Sequence, residues 1–214
     1  MKIACLQFAA KLGDVDNNLS RADDLLDKAN LDDLNSLDLL VLPELAFTGK
    51  LAFPYHLPPI SLQEPRDYEV PSMHRRAQLL TLLTGYNFKS LQHISPCFEN
   101  AGSGISSLWA RTAALKYDCT VVVGYPEKAD VSAKWPASPE YYNSALVVDG
   151  DGDVIGNYRK SFLYYTDETW ALEGTDGFFQ AEIPALGNVA LGICTDLKYA
   201  LPYHPSQSEG ADLN

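Results

Sequence analysis

The stretch that decides the fold is NSALVVDGDGDVIGNYRK, residues 143–160. Two apolar runs, 143–149 and 154–158, flank a Gly-Asp-Gly sequence at 150–152. Apolar runs separated by a short glycine-rich turn predict two antiparallel strands that form a hairpin. Because a hairpin requires antiparallel neighbours in the sheet, this stretch excludes a simple doubly wound parallel sheet.

Upstream of this hairpin, strand patterns alternate with helix patterns. Residues 2–9 and 37–42 are typical of buried strands, and a helix with one apolar face lies between them. That face comprises Leu19, Ala22, Leu25, Leu26 and Ala29. A helix over 107–116 then leads into a strand over 120–123, which Gly124 closes. This order predicts an α/β fold in which a mixed sheet carries helices on one face.

Three side chains with complementary chemistry follow predicted strands. Glu44 follows the second predicted strand, and Lys160 follows the first hairpin. Cys194 ends a second predicted hairpin, in which 178–183 pairs with 189–194. Taken singly, a buried cysteine, an exposed turn carboxylate and a solvated lysine are ordinary structural features. Together they indicate a nucleophilic site, because active-site groups collect at strand ends in layered α/β proteins.

These three groups can cooperate in attack on an amide. A cysteine attacks as its thiolate and therefore needs a base or a positive neighbour. Glu44 can accept the thiol proton, deliver it to the leaving amine and later activate water. Lys160 can stabilise the oxyanion of the tetrahedral intermediate, together with the backbone N–H of Thr195. The pattern therefore predicts an amidase-type site with Cys194 as the nucleophile.

Composition narrows the class of function. A net charge of −12 argues against nucleic-acid binding, which requires a basic patch. Four cysteines without paired spacing fit a reducing compartment, and scattered histidines argue against a metal site. No apolar run approaches the roughly 18–20 residues that cross a bilayer, and the first residues do not form a signal peptide. We therefore expect an intracellular protein that uses no metal or cofactor and binds neither nucleic acid nor membrane.

Three segments resemble the signature sequences of the nitrilase superfamily. They are LLVLPELAFTG at 39–49, YRKSFLY at 158–164 and GICTDL at 192–197. The resemblance implies an α-β-β-α sandwich, in which mixed sheets are flanked by helices. It also implies hydrolysis of carbon–nitrogen bonds other than peptide bonds.

The same resemblance implies roles for individual residues. Glu44 would be the general base, Lys160 would stabilise the oxyanion and Cys194 would be the nucleophile. Many members of the superfamily carry a second glutamate soon after the lysine. Glu168 is the best match to that glutamate, with the neighbouring Asp167 as the alternative.

Further segments resemble one branch of the superfamily, the protein N-terminal amidases. These segments are YNSALVV at 142–148, FLY at 162–164, Trp170 and Gly177-Phe178. Members of that branch deamidate N-terminal Asn and Gln to Asp and Glu, which become degradation signals of the N-degron pathway. The resemblance therefore implies Asn- or Gln-bearing protein or peptide N-termini as substrates, and a place in the cytoplasm or nucleus.

The resemblance also suggests how the chain is organised. We expect a carbon–nitrogen hydrolase domain over 1–197 with an insertion at about 85–106. Within it, the proline-rich, polar composition predicts a long loop over 50–72, and the apolar spacing predicts a helix over 73–84. In the family, further strands and helices follow the nucleophile, whereas 198–214 is a divergent, polar tail. We therefore expect a sandwich that is incomplete at its C-terminus. Two alternative functions stay open: a small-molecule amidase, and a truncated, inactive homologue that acts only as a binding partner. The oligomeric state also stays open.

Overall fold

The computed structural model describes residues 1–49, 88–130, 139–183 and 186–200. The loop predicted over 50–72 and the helix predicted over 73–84 lie outside the described residues. None of the helices within the described ranges is both long enough and apolar enough to cross a bilayer.

Five strands form one mixed sheet, in the order β1-β2-β3-β4-β5. They are β1 (Ile3–Cys5), β2 (Leu39–Val41), β3 (Thr120–Ala129), β4 (Glu140–Val148) and β5 (Val154–Arg159). The first three strands are parallel, and β3, β4 and β5 pair antiparallel. A separate antiparallel hairpin consists of β6 (Phe179–Ile183) and β7 (Gly187–Leu191). The mixed sheet and both predicted hairpins are confirmed.

Five helices lie along the described part of the chain. They are α1 (Val15–Lys28), α2 (Leu31–Leu34), α3 (Leu91–Ile94), α4 (Ile105–Tyr117) and α5 (Asp196–Ala200). Two single 3₁₀ turns, Ser95–Cys97 and Asp167–Thr169, complete the regular elements of the described chain. The long helices α1 and α4 supply buried residues to one shared core with the large sheet.

The central strands β3 and β4 are buried on both faces, and successive side chains face different layers. Val121 and Val123 of β3 pack into the core formed with α1 and α4. Val122, between them, packs into a second core with Ile183 and Ile193, from β6 and the segment after β7. Because side chains alternate across a strand, one continuous apolar run serves both cores. The described residues thus form a helix layer, a five-stranded sheet and a two-stranded sheet.

Helix α1 buries a narrower stripe than its apolar pattern predicts. Its buried residues are Asn18, Ala22 and Leu26, which follow one another at intervals of four. Leu25 is 40% exposed, so its predicted place on the inner face was wrong. Ala29 is also exposed, since the helix ends before it. The buried stripe instead starts at Asn18, whose side chain hydrogen-bonds to the backbone of Lys11 and Phe47.

Strand β3 runs through Gly124, where the sequence predicts that it ends. It stays paired with β4 as far as Ala129. A Cβ atom at Gly124 would lie 2.7 Å from the carbonyl oxygen of Pro43 and 2.8 Å from the Cα of Glu44. The glycine therefore marks a close approach between β3 and the Glu44 turn, and not a strand end.

The region predicted as an insertion packs against the turn that carries Glu44. Its segment from Phe88 to Cys97 joins Leu45 and Trp170 in one buried cluster. Glu99 then pairs with the extended end of β3, because its N–H donates to Pro126 and its carbonyl accepts from Lys128. Its described residues are therefore part of the packed structure that surrounds Glu44.

Candidate active site

Lys160 lies between two carboxylates at the point where β2 and β5 end. Its Nζ atom is 2.8 Å from Oε1 of Glu44 and 2.6 Å from Oδ2 of Asp167. The lysine is fully buried, and the side chains of Glu44 and Asp167 are only 10% and 2% exposed. Glu44, 116 residues before the lysine, and Asp167, 7 residues after it, thus both contact the same ammonium group.

The two carboxylates keep the lysine charged. Burial alone would lower the pKa of Lys160, because an ammonium group loses hydration in the interior. The charges and hydrogen bonds of Glu44 and Asp167 outweigh burial, and the pKa of Lys160 is raised above its ordinary value. A fixed positive charge in a buried site suits electrostatic stabilisation of a developing oxyanion, and does not suit a general base.

Asn143 also belongs to this cluster, a role that the sequence did not predict. Its Nδ2 atom donates to Oε1 of Glu44 at 2.6 Å and lies 3.5 Å from Oδ2 of Asp167. Its backbone carbonyl accepts from the N–H of Lys160 at 2.8 Å. Only one feature of the sequence pointed to Asn143. It is the first residue of the first strand in the predicted hairpin, and in an antiparallel hairpin that position lies opposite the end of the second strand, next to Lys160.

The structure brings Asp167, and not Glu168, to the lysine. Both residues lie in the 3₁₀ turn Asp167–Thr169, where Asp167 is buried and Glu168 is exposed. The choice of Glu168 as the second acid therefore needs correction in favour of the alternative, Asp167. In a 3₁₀ turn, successive side chains point about 120° apart, so a shift of one residue moves a side chain from the buried to the exposed side. Sequence spacing alone does not determine which of the two residues faces inward.

Cys194 lies on a turn after β7. The strand was predicted to run to Cys194, but it ends at Leu191. The cysteine is exposed, and its φ angle is 47°, in the left-handed region that disfavours residues with a Cβ atom. Leu45, directly after Glu44, has a φ angle of 52°. Of the three non-glycine residues with positive φ in the described ranges, two therefore belong to the predicted catalytic segments.

The backbone after Cys194 turns into α5. The N–H groups of Asp196 and Leu197 donate to the carbonyls of Ile193 and Cys194. The N–H of Thr195 donates to no residue within the described part of the chain. This arrangement fits the predicted use of that N–H as a donor to an oxyanion.

A further buried acid, Glu127, links the strands that lead into the site. Glu127 accepts from Arg159 at 2.6 Å, from Ser144 at 2.7 Å and from Asn157 at 2.9 Å. Burial alone would raise the pKa of Glu127, but these hydrogen bonds and the Arg159 charge lower it below its ordinary value. Ser144 and Arg159 are the chain neighbours of Asn143 and Lys160, so this network fixes the strands that carry the site.

No group of three or more His, Cys, Asp or Glu side chains is arranged to hold a metal ion in the part of the chain that the structure describes. Glu44 and Lys160 are in direct contact, and Asp196, two residues after Cys194, hydrogen-bonds to residues that flank Lys160. A thiol, a carboxylate and an ammonium are the groups that nucleophilic attack, proton transfer and charge stabilisation at a carbonyl require.

The chain is similar to known carbon–nitrogen hydrolases. Residues 2–214 match the carbon–nitrogen hydrolase family. The chain is 30% identical over 199 residues to a protein N-terminal amidase of Schizosaccharomyces pombe, a match that covers 92% of this chain and 55% of that protein. It is 27% identical over 225 residues to the protein N-terminal amidase of Saccharomyces cerevisiae, covering 95% of this chain and 40% of that protein.

Solved structures agree with the sequence matches. An N-terminal amidase with an Asn-Glu-Ala peptide superposes with a TM-score of 0.62 and 26% identity, over 91% of this chain and 40% of that chain. Saccharomyces cerevisiae Nit3, of branch 10 of the nitrilase superfamily, shares the fold with a TM-score of 0.59 and 19% identity, over 92% of this chain and 56% of that chain. The predicted nitrilase-type sandwich is thereby confirmed.

The chain spans about half the length of the curated relatives that it matches. The match to the family model extends over almost all of its 214 residues and includes the segments of Glu44, Lys160 and Cys194. The chain belongs to the carbon–nitrogen hydrolase family.

Proposed function

We propose that this chain carries the catalytic residues of an amidohydrolase that deamidates N-terminal Asn and Gln of proteins to Asp and Glu. The observation that carries the proposal is the buried Lys160, held charged between Glu44 and Asp167. The residues that flank this lysine are hydrogen-bonded to Asp196, two residues after Cys194. The similarity to protein N-terminal amidases supports the choice of substrate.

The reaction begins with transfer of the Cys194 proton to Glu44. The thiolate attacks the side-chain amide carbon of the substrate, and the negative charge moves to the carbonyl oxygen. Lys160 and the N–H of Thr195 stabilise that oxyanion. Collapse of the tetrahedral intermediate breaks the carbon–nitrogen bond, and Glu44 delivers its proton so that ammonia leaves. A thioester between Cys194 and the substrate side chain remains.

Water completes the cycle. Glu44, again a carboxylate, takes a proton from water, and the resulting hydroxide attacks the thioester carbon. The carbon–sulfur bond breaks, and the cysteine recovers its proton. The net reaction consumes one water and leaves a carboxylate on the first residue of the substrate, and the proton lost by the acid is taken up by the released ammonia as ammonium. Asp167 and Asn143 take no part in proton transfer and hold Lys160 and Glu44 in place.

The products suggest a biological context. N-terminal Asp and Glu serve as degradation signals in the N-degron pathway, so the enzyme would act in the cytoplasm or nucleus on protein N-termini. The solved neighbours that contain Asn-Glu-Ala and Gln-Gly peptides support peptide N-termini as the substrate class.

Substrate comparison tests the proposal. Ammonia release is measured from Asn-Glu-Ala, from the same peptide with an acetylated N-terminus, and from a small free amide such as glutamine. Preference for the free peptide supports N-terminal deamidation. Equal turnover of the acetylated peptide, or preference for the small amide, overturns the substrate assignment in favour of a small-molecule amidase. No release from any substrate, by a folded chain whose Cys194 does not react with iodoacetamide, supports an inactive binding homologue.

A further inference from the structure

One buried carboxylate connects the segment of Cys194 to the segment of Lys160. Asp196 is fully buried, and both of its oxygens are used. Oδ2 accepts from the N–H of Ile193 at 2.7 Å and from the hydroxyl of Tyr158 at 2.7 Å. Oδ1 accepts from the N–H of Phe162 at 2.9 Å.

The three donors flank the two candidate catalytic residues. Ile193 directly precedes Cys194, whereas Tyr158 and Phe162 lie two residues before and two residues after Lys160. Tyr158 and Phe162 are 38 and 34 residues away from Asp196 in sequence, whereas Ile193 is only 3 residues away. A single side chain therefore defines the position of one segment relative to the other.

The hydrogen bonds of the cluster require acceptors at both side-chain oxygens of Asp196. All three partners are donors, and a carboxylate is an acceptor at both oxygens. Burial raises the pKa of Tyr158 to about 12, so its hydroxyl keeps its proton and donates. An asparagine would present an NH₂ group to at least one of these donors, which would leave buried donors facing each other.

The turn at Cys194 needs such support. Its φ angle of 47° is unfavourable for a non-glycine residue, and strained backbone persists only where the surrounding structure enforces it. Asp196 holds Ile193 on both sides, since its carboxylate accepts the Ile193 N–H and its own N–H donates to the Ile193 carbonyl at 3.0 Å. The residue before the strained position is therefore fixed.

We propose that Asp196 is a positioning residue that holds the thiol of Cys194 in register with the ammonium of Lys160. Both groups then act on the same carbonyl centre. The inference rests on the proposed function for its effect on turnover, and it makes a separate claim about the reactivity of the thiol.

The test compares Asp196→Asn with a matched control, Asp176→Asn, which makes the same change at an exposed position. All variants carry Cys5→Ala, because Cys5 is also exposed and would react with alkylating reagents. Two readouts are taken: kinetics of ammonia release from Asn-Glu-Ala, and the pH profile of Cys194 alkylation by iodoacetamide followed by mass spectrometry. Thermal unfolding reports the folded fraction.

We expect Asp196→Asn to lower kcat by about 100-fold with little change in KM, the size of effect that a displacement of about 1 Å can produce. The alkylation profile of Cys194 should change as well, while Asp176→Asn behaves as the parent protein. Tyr158→Phe, which removes one of the three hydrogen bonds, should give an intermediate loss and serves as the second variant if Asp196→Asn does not fold.

The inference is overturned if folded Asp196→Asn keeps both the kcat and the alkylation profile of the parent. If only Tyr158→Phe folds, the same result in that variant overturns it. Loss of activity that merely follows the unfolded fraction would also overturn it. If the parent chain releases no ammonia, the proposed function fails, and the alkylation profile still decides whether Asp196 positions the thiol.

Discussion

The ammonium of Lys160 lies 2.6 Å from Oδ2 of Asp167, and neither side chain is appreciably exposed. This contact, together with the 2.8 Å contact to Glu44, places one positive charge between two buried acids. Burying a charge is costly unless it is paired and hydrogen-bonded, so such a cluster is maintained only where its members are all present.

The roles of the two neighbouring acids can be separated by substitution. Asp167→Asn should destabilise the protein by about 3 kcal/mol, because it removes one partner of a buried ion pair. It should also lower ammonia release by at least about tenfold, since Lys160 is then held by Glu44 alone. Glu168→Gln, at the exposed neighbouring position, should change ammonia release by less than about twofold and the free energy of unfolding by less than about 0.5 kcal/mol. Urea unfolding and kinetics on Asn-Glu-Ala provide the measurements, and a larger effect from Glu168→Gln would contradict this assignment.

Gly124 should be intolerant of any side chain. An added Cβ would lie 2.7 Å from backbone of the Glu44 turn, which has no flexible group to move aside. Gly124→Ala should therefore cost about 1–3 kcal/mol and displace Glu44, with a loss of turnover beyond the loss of folded protein. Gly177→Ala is the control: with a φ angle of 72° it carries a backbone penalty of about 1–2 kcal/mol, but its Cβ meets nothing within 4 Å. If the two variants had equal activity per folded molecule, the close approach of Gly124 to the Glu44 turn would have no effect on turnover, contrary to this prediction.

Stability at acid pH should depend on Glu127. Its pKa in the folded protein is below its ordinary value of 4.5, so the stabilisation is fully present above about pH 4.5 and is lost as the pH falls through the lowered folded value. Glu127→Gln should cost about 3 kcal/mol at neutral pH and should unfold with a weaker pH dependence below pH 5. Glu182→Gln, at an exposed position on β6, is the control. An acid transition as steep in Glu127→Gln as in the parent would contradict the role given to this network.

The sequence was sufficient to predict the elements that carry the site. Glu44 and Lys160 each follow an apolar run with a clear end, Cys194 is the last residue of a predicted strand, and the glycine turns of the two hairpins define an antiparallel pairing. These features are local, so periodicity and turn chemistry predict them without knowledge of the fold.

Other features depend on contacts between distant segments. Asn143 looks like the first residue of an ordinary strand until the fold brings Glu44 to its side chain, 99 residues away in sequence. The choice between Asp167 and Glu168 depends on the phase of a single turn. Asp196 acquires its role from Tyr158 and Phe162, and nothing in its own neighbourhood distinguishes it from a helix-capping acid.

The most direct measurement is the release of ammonia from Asn-Glu-Ala by the parent chain and by Cys194→Ala, with the product peptide analysed by mass spectrometry. The proposed function requires that the parent converts the N-terminal Asn to Asp with one ammonia per peptide, and that Cys194→Ala, equally folded, does neither. Equal release by the two proteins, or an unmodified peptide after prolonged incubation with the folded parent, would contradict it.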